Sequence, residues 1–180
     1  MAKYTIALGV TGSIAAYKAA DLCSTLNKAD IESVVIMTES ALKLVGEQTF
    51  FTLSQNPVIT DLWKVNDWQP GHIELADRAE LLVVAPATAN FIGKYANGIA
   101  DDALTTFALS HDGPVLIAPA MNPKMWRHPA VQENCEVLKS RGVQFVDPAS
   151  GVVACGHEGI GKLADVQDIV DAVLATLDDV

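Results

Sequence analysis

The chain alternates short, almost unbroken apolar runs with longer stretches in which apolar residues recur at helical spacing. The runs are YTIALGV (4–10), ESVVIMT (32–38), ELLVVAP (80–86) and PVLIAPA (114–120). Near-continuous Val/Ile/Leu segments of that length read as strands covered on both faces. Ile14, Ala15, Leu22 and Leu26 form a stripe that predicts a helix from Ser13, acting as its cap, to about Asn27. A second helix is expected from Ser40, and helical sequence over 88–110 with a break near Gly98. PAVQENCEVLKSRG (129–142) predicts a helix with Pro129 near its start and Gly142 as its C-cap. A short strand VQFV (143–146) and a terminal helix over 165–177 complete the pattern.

Strands that each feed a helix predict an α/β, doubly wound, flavodoxin/Rossmann-like three-layer fold with a mostly parallel sheet. A chain of 180 residues suits one domain, taken here as residues 1–180. No internal repeat interrupts the pattern. WKVNDWQPG (63–71) is polar, ends in Pro and Gly and lacks periodicity, so a loop is expected there.

Charge narrows the partners. Twelve basic against 22 acidic residues give a net charge of -10, which offers no footprint for duplex nucleic acid or an anionic membrane. No apolar run is long enough to span a bilayer. The hydrophobic fraction of 50% is high enough to suggest buried subunit faces and a homo-oligomer. Cys23, Cys135 and Cys155 lie far apart with no C-x-x-C pair, and MAKYTIALGV runs straight into a strand pattern. Reduced thiols in a cytoplasm are therefore expected. The four histidines are scattered, and no metal site is expected.

In a doubly wound sheet, ligands bind at the carboxyl ends of the strands. GVTGS, MTES, PATAN and PAMNPKMW fall there, with the small, hydroxyl and amide residues of a nucleotide cradle. Gly9-Val10-Thr11-Gly12-Ser13 lacks the G-x-G-x-x-G spacing of a dinucleotide site. It is either a single-phosphate site at a helix N-terminus or a plain strand-to-helix turn. Gly156 to Lys162 reads G-x-x-x-x-G-K, but Leu163 stands where a magnesium site needs Ser or Thr, so ATP hydrolysis is rejected. What remains is a flexible glycine-rich loop ending in a cation, fit to fold over an anionic substrate. From these residues alone Cys155 is a catalyst, a redox cysteine or a core filler. His72 is a base or orienting group, or a helix-start histidine with a satisfied ring. Met121, Met125 and Trp126 read as core hydrophobes, and Cys23 and Cys135 as buried filler.

PAMNPKMW (119–126) resembles the P-x-M-N-x-x-M-W motif of the flavin-containing cysteine decarboxylases. GSIAAYK (12–18), GHIELA around His72, APATAN (85–90), NGIADDALTT (97–106) and ACGHEGIGK (154–162) are similar to further segments of that family, in the same order. The resemblance runs from about residue 4 to 170, and is strongest to the branch acting on 4′-phosphopantothenoylcysteine in coenzyme A biosynthesis. It implies oxidation of the substrate thiol to a thioaldehyde by FMN, loss of CO2 and re-reduction of the ene-thiol. It implies that Gly12, Ser13, Thr38 and Ser40 hold the FMN phosphate and ribityl chain, with Thr88, Ala89, Asn90 and Ala120 beside the flavin. Asn122 would hold the substrate carboxylate, His72 would act near the thiol, and Cys155 would protonate the ene-thiol. Met125, Val153, Ala154, Gly159 and Lys162 would contact substrate, Lys162 standing where the family usually has Arg. The family also implies a trimer or a dodecamer of trimers, and a separate phosphopantothenate–cysteine ligase as a possible partner for a chain ending at Val180. Rival readings are a peptidyl-cysteine oxidative decarboxylase, disfavoured by Cys155, an FMN-binding regulatory subunit, and a prenyl-flavin-forming transferase.

Overall fold

The computed structural model describes residues 3–63, 71–152, 156 and 158–179, with backbone alone at 71–74. Strands β1 (Tyr4–Val10), β2 (Ile31–Met37), β3 (Leu81–Ala87), β4 (Val115–Pro119) and β5 (Gln144–Phe145) form one sheet in the order β2-β1-β3-β4-β5, all pairs parallel. Alternate residues of each strand enter opposite cores, which explains the unbroken apolar runs. Ile6, Leu8, Val10, Leu81, Val83 and Leu116 join α1 (Ala16–Lys28), α3 (Glu47–Ser54) and α9 (Val166–Asp178) on one face. Ala7, Leu82, Val84 and Ile117 join α4 (Gly71–Arg78), α5 (Ala89–Ala96), α6 (Ala103–Ser110) and α8 (Pro129–Ser140) on the other. The three-layer, mostly parallel architecture expected from the sequence is thus the one found.

Four details differ from the sequence expectation. Ser13 does not cap α1: the helix starts at Ala16, and its cap position, Ala15, makes no side-chain cap hydrogen bond. Ser13 instead sits in the turn before it, its hydroxyl accepting from the Ala15 N–H at 3.4 Å. The helix expected from Ser40 is split into α2 (Glu39–Leu42), capped by Thr38, and α3. Pro123–Trp126 forms a one-turn helix, α7, between β4 and α8. The glycine-rich segment, expected to be a flexible loop, contributes to an antiparallel hairpin of β6 (Ala149–Val152) and β7 (Glu158–Lys162). β7 docks on the 121–123 segment, where the Met121 N–H donates to the Gly161 carbonyl at 2.9 Å. A Cβ at Gly161, whose φ is 153°, would collide with the Met121 carbonyl oxygen, so this glycine serves close packing rather than loop motion.

A break does divide 88–110, between α5 and α6, and Gly142 follows α8 with a left-handed φ of 89°. Residues 64–70 of the expected loop lie outside the described residues, and Gly71 opens α4. Among the described residues no helix is long and apolar enough to cross a membrane.

Candidate active site

The carboxyl ends of β1, β2, β3 and β4 converge at the topological switch point, between β1 and β3. Thr11 stitches the first and third strand ends together. It is 1% exposed, its hydroxyl donates to the Pro86 carbonyl at 2.7 Å, and the same oxygen accepts the Thr88 N–H at 3.0 Å. The Ala85–Pro86 peptide is cis. Gly12 brings in the second strand end: a Cβ there would collide with the Ser40 Cβ, so glycine permits this approach. Thr38 and Thr88 cap α2 and α5 by accepting the Ala41 and Phe91 N–H groups at 3.3 and 3.4 Å. The remaining first-turn N–H groups have no intrahelical partner and face an anion favourably.

Two adjoining clefts result. The first, of about 410 Å³, is walled by Thr11, Gly12, Thr38, Ser40, Thr88, Ala89, Asn90 and Met125, with Lys94, Asp101, Asp102 and Thr105 at one end. The second, of about 510 Å³, is walled by Gly12, Ser13, Thr88, Ala120, Asn122, Met125 and Lys162, with Ile14, Tyr17, Lys18 and Val152 beside them. Gly12, Thr88 and Met125 belong to both, so the clefts share a wall. Asn122 caps α7, its Oδ1 accepting the Lys124 N–H at 2.8 Å. That contact orients the side-chain amide.

Most residues nominated from the sequence therefore line one continuous region. Gly159 lines neither cleft and packs against Pro123 instead. His72 falls in the first turn of α4, with its side chain outside the described residues, where Val153, Ala154 and Cys155 also lie. Cys23 and Cys135 are buried in the cores, and burial pushes the Cys23 thiol up to about 11. Thr11 and Lys94 were not nominated. Lys94 binds Asp101 at 2.7 Å and Asp102 at 3.4 Å, and those contacts raise its pKa, the Asp101 hydrogen bond first. A Lys on α5 and an Asp pair before α6 carry no local signal that they meet at a cleft.

The Flavoprotein family model matches residues 1–178. The chain belongs to that family. Flavin is accordingly its cofactor class. A probable phosphopantothenoylcysteine decarboxylase of Streptococcus mutans serotype c is 43% identical over 171 residues, covering 93% of this chain and 96% of that protein. The coenzyme A biosynthesis bifunctional protein CoaBC of Bacillus subtilis is 51% identical over 166 residues, 92% of this chain. The match takes in 41% of that relative, so the chain spans about two fifths of its length. Among solved structures, the FMN-dependent cysteine decarboxylase SpaF aligns with a TM-score of 0.87 at 33% identity, covering 99% of this chain and 97% of that one. A cysteine-to-serine mutant of PPC decarboxylase, complexed with pantothenoylaminoethenethiol, aligns with a TM-score of 0.87 at 29% identity, covering 98% and 99%.

Proposed function

We propose that this protein is an FMN-dependent decarboxylase that converts 4′-phosphopantothenoylcysteine to 4′-phosphopantetheine in coenzyme A biosynthesis. The observation that carries the reading is the meeting of four strand-end loops on two clefts that share one wall. The first cleft offers hydroxyls and helix-start N–H groups suited to a phosphate and a polyol. The second is more apolar and has the amide of Asn122 on its wall. The near-full-length similarity to the Streptococcus mutans relative supports the same substrate.

The residues present fit FMN. Gly12, Ser13, Thr38 and Ser40 would hold its phosphate and ribityl chain, and the clearance that Gly12 gives to Ser40 is a cradle that a Cβ would fill. Thr88, Ala89, Asn90 and Ala120 would flank the ring. Bound FMN supplies reversible oxidation of the substrate thiol, which gives an alkyl carboxylate the electron sink it otherwise lacks. Asn122 would donate its amide to the substrate carboxylate and hold it in place. His72 would take or orient the thiol proton, a task suited to a group that titrates near neutrality. Cys155 would deliver the proton that completes the product from the ene-thiol. Met125, Val153, Ala154 and Lys162 would complete the substrate surface, while Gly159, packed against Pro123, would seat the strand that carries Lys162.

We read the protein as a single domain that works in the cytoplasm as a homo-oligomer, a trimer or a dodecamer of trimers. Ile14 and Tyr17 are 61% and 64% exposed beside the second cleft, and a neighbouring subunit would cover them. A phosphopantothenate–cysteine ligase would supply the substrate.

The test is the product mass after incubation with 4′-phosphopantothenoylcysteine, beside a Cys155→Ser variant. Wild type should yield phosphopantetheine, and the variant the species lighter by two hydrogens. Untouched substrate with wild type would overturn the reading. The likeness to SpaF favours one second reading, a peptidyl-cysteine oxidative decarboxylase. Turnover of a peptide ending in cysteine, with 4′-phosphopantothenoylcysteine ignored, would establish it instead.

A further inference from the structure

Three lysines line the two clefts, and they are not alike. Lys94, in the first cleft, is held by Asp101 and Asp102. Lys18 and Lys162 both line the second cleft, and neither has a carboxylate within ion-pair distance among the described residues. They come from separate parts of the fold: Lys18 is half-buried in the first turn of α1, and Lys162 is exposed at the end of β7. In a chain with 22 acidic and 12 basic residues, two ammonium groups that line one cleft with no carboxylate partner among the described residues mark where an anion is tolerated. The same cleft has apolar wall residues, Met125 and Val152.

We propose that Lys18 and Lys162 together bind the 4′-phosphate of the substrate and set its preference for the phosphorylated form. This rests on the decarboxylase reading above. The chemistry fits a phosphate monoester, which carries roughly -1.5 to -2 charges at neutral pH. Lysine meets such a group as a flexible point charge. The quaternary carbon with two methyl groups that follows the phosphate ester in the pantoyl unit matches the apolar surface of Met125 and Val152 in the same cleft. FMN carries a phosphate monoester too, and Gly12 and Ser13, assigned to FMN, also line the second cleft; but Thr38 and Ser40, assigned with them, line the first cleft, where neither lysine is present. The exchange of the family's usual Arg for Lys162 keeps the charge and gives up the bidentate fork.

The test compares kcat/KM for 4′-phosphopantothenoylcysteine and for pantothenoylcysteine, using holoenzyme. Lys18→Met, Lys162→Met and Lys162→Arg are assayed, with Lys28→Met, exposed at the far end of α1, as the control. Wild type should prefer the phosphorylated substrate. Each Met variant should cut that preference about tenfold, mainly through KM, as expected for one lost charge-assisted contact. Lys162→Arg and Lys28→Met should keep it, and added salt should erode it in wild type. A wild type that does not discriminate would overturn the proposal, as would Met variants that slow both substrates equally. Variants that release FMN yet retain riboflavin would assign the lysines to the cofactor instead, and also overturn it. A wild type inactive on both substrates overturns the decarboxylase reading itself, and this proposal with it.

Discussion

At the level of single residues, Thr11 carries more of the site's shape than its sequence neighbourhood announces. A threonine after a strand reads as an ordinary turn residue, and nothing local points to partners at Pro86 and Thr88. Thr11→Val keeps the volume but leaves the part-buried Thr88 N–H without its acceptor, and the Pro86 carbonyl with the Thr11 N–H at 3.3 Å in place of two donors. A loss of about 1–3 kcal/mol is expected. In a chain of this size that lowers the melting temperature by about 2–4 °C per kcal/mol, measurable by calorimetry. Gly12→Ala should act differently: overpacking against Ser40 should cost about 1–3 kcal/mol and also reduce the flavin retained on purification. Stability lost with full flavin content would remove Gly12 from the cofactor cradle. The chemical candidates were legible because their residue types are unusual where they stand, as with Asn122 before a proline or Ser40 after a strand. Thr11 and Lys94 act through partners distant in space or hidden by chain order, which composition and spacing do not encode.

Among the elements, strands were the easiest to read, since burial on both faces leaves no polar positions to blur the run. The short helices were not readable: four residues, as in α2 and α7, are about one turn and cannot display a period. The hairpin was missed because glycines suppress the alternation that would have revealed β7. The start of α6 offers a sharper test. Asp102 accepts the Thr105 N–H at 2.8 Å, and the Asp102 N–H donates to the Thr105 hydroxyl at 3.2 Å, a reciprocal cap. Asp102→Ala should cost about 0.5–2 kcal/mol in urea titrations, and Asp102→Asn should recover most of it, since asparagine caps equally well. Equal losses in both variants would assign the effect to the Lys94 ion pair rather than to the cap.

For the molecule as a whole, the sheet order and the position of the site at its switch point follow from the alternation of strand and helix, so the architecture was legible before any side chain was placed. The pH dependence was not, because it depends on which side chains end up dry. Burial raises the Cys23 thiol to about 11, above the ordinary thiol value. The unfolded chain therefore loses this proton first as pH rises, and the folded state retains it. The contribution is intact below the unfolded-state value and fades as pH climbs through the alkaline range toward 11. Urea midpoints taken between pH 8 and pH 10.5 should fall for wild type, and fall less steeply for Cys23→Ala. Identical slopes would show that this thiol does not govern alkaline stability.

The hairpin is fastened to the loop after β4 by backbone atoms, through the Met121–Gly161 hydrogen bond and the clearance at Gly161. Backbone anchoring separates where this piece sits from what it displays. The side chains at 152, 158, 160 and 162 are all exposed and contribute nothing to that anchor. They can be exchanged without altering the seating of the strand, provided that Gly161 is kept. The hairpin is thus a cassette: its outward residues can be rewritten while the loop after β4 that seats it stays untouched.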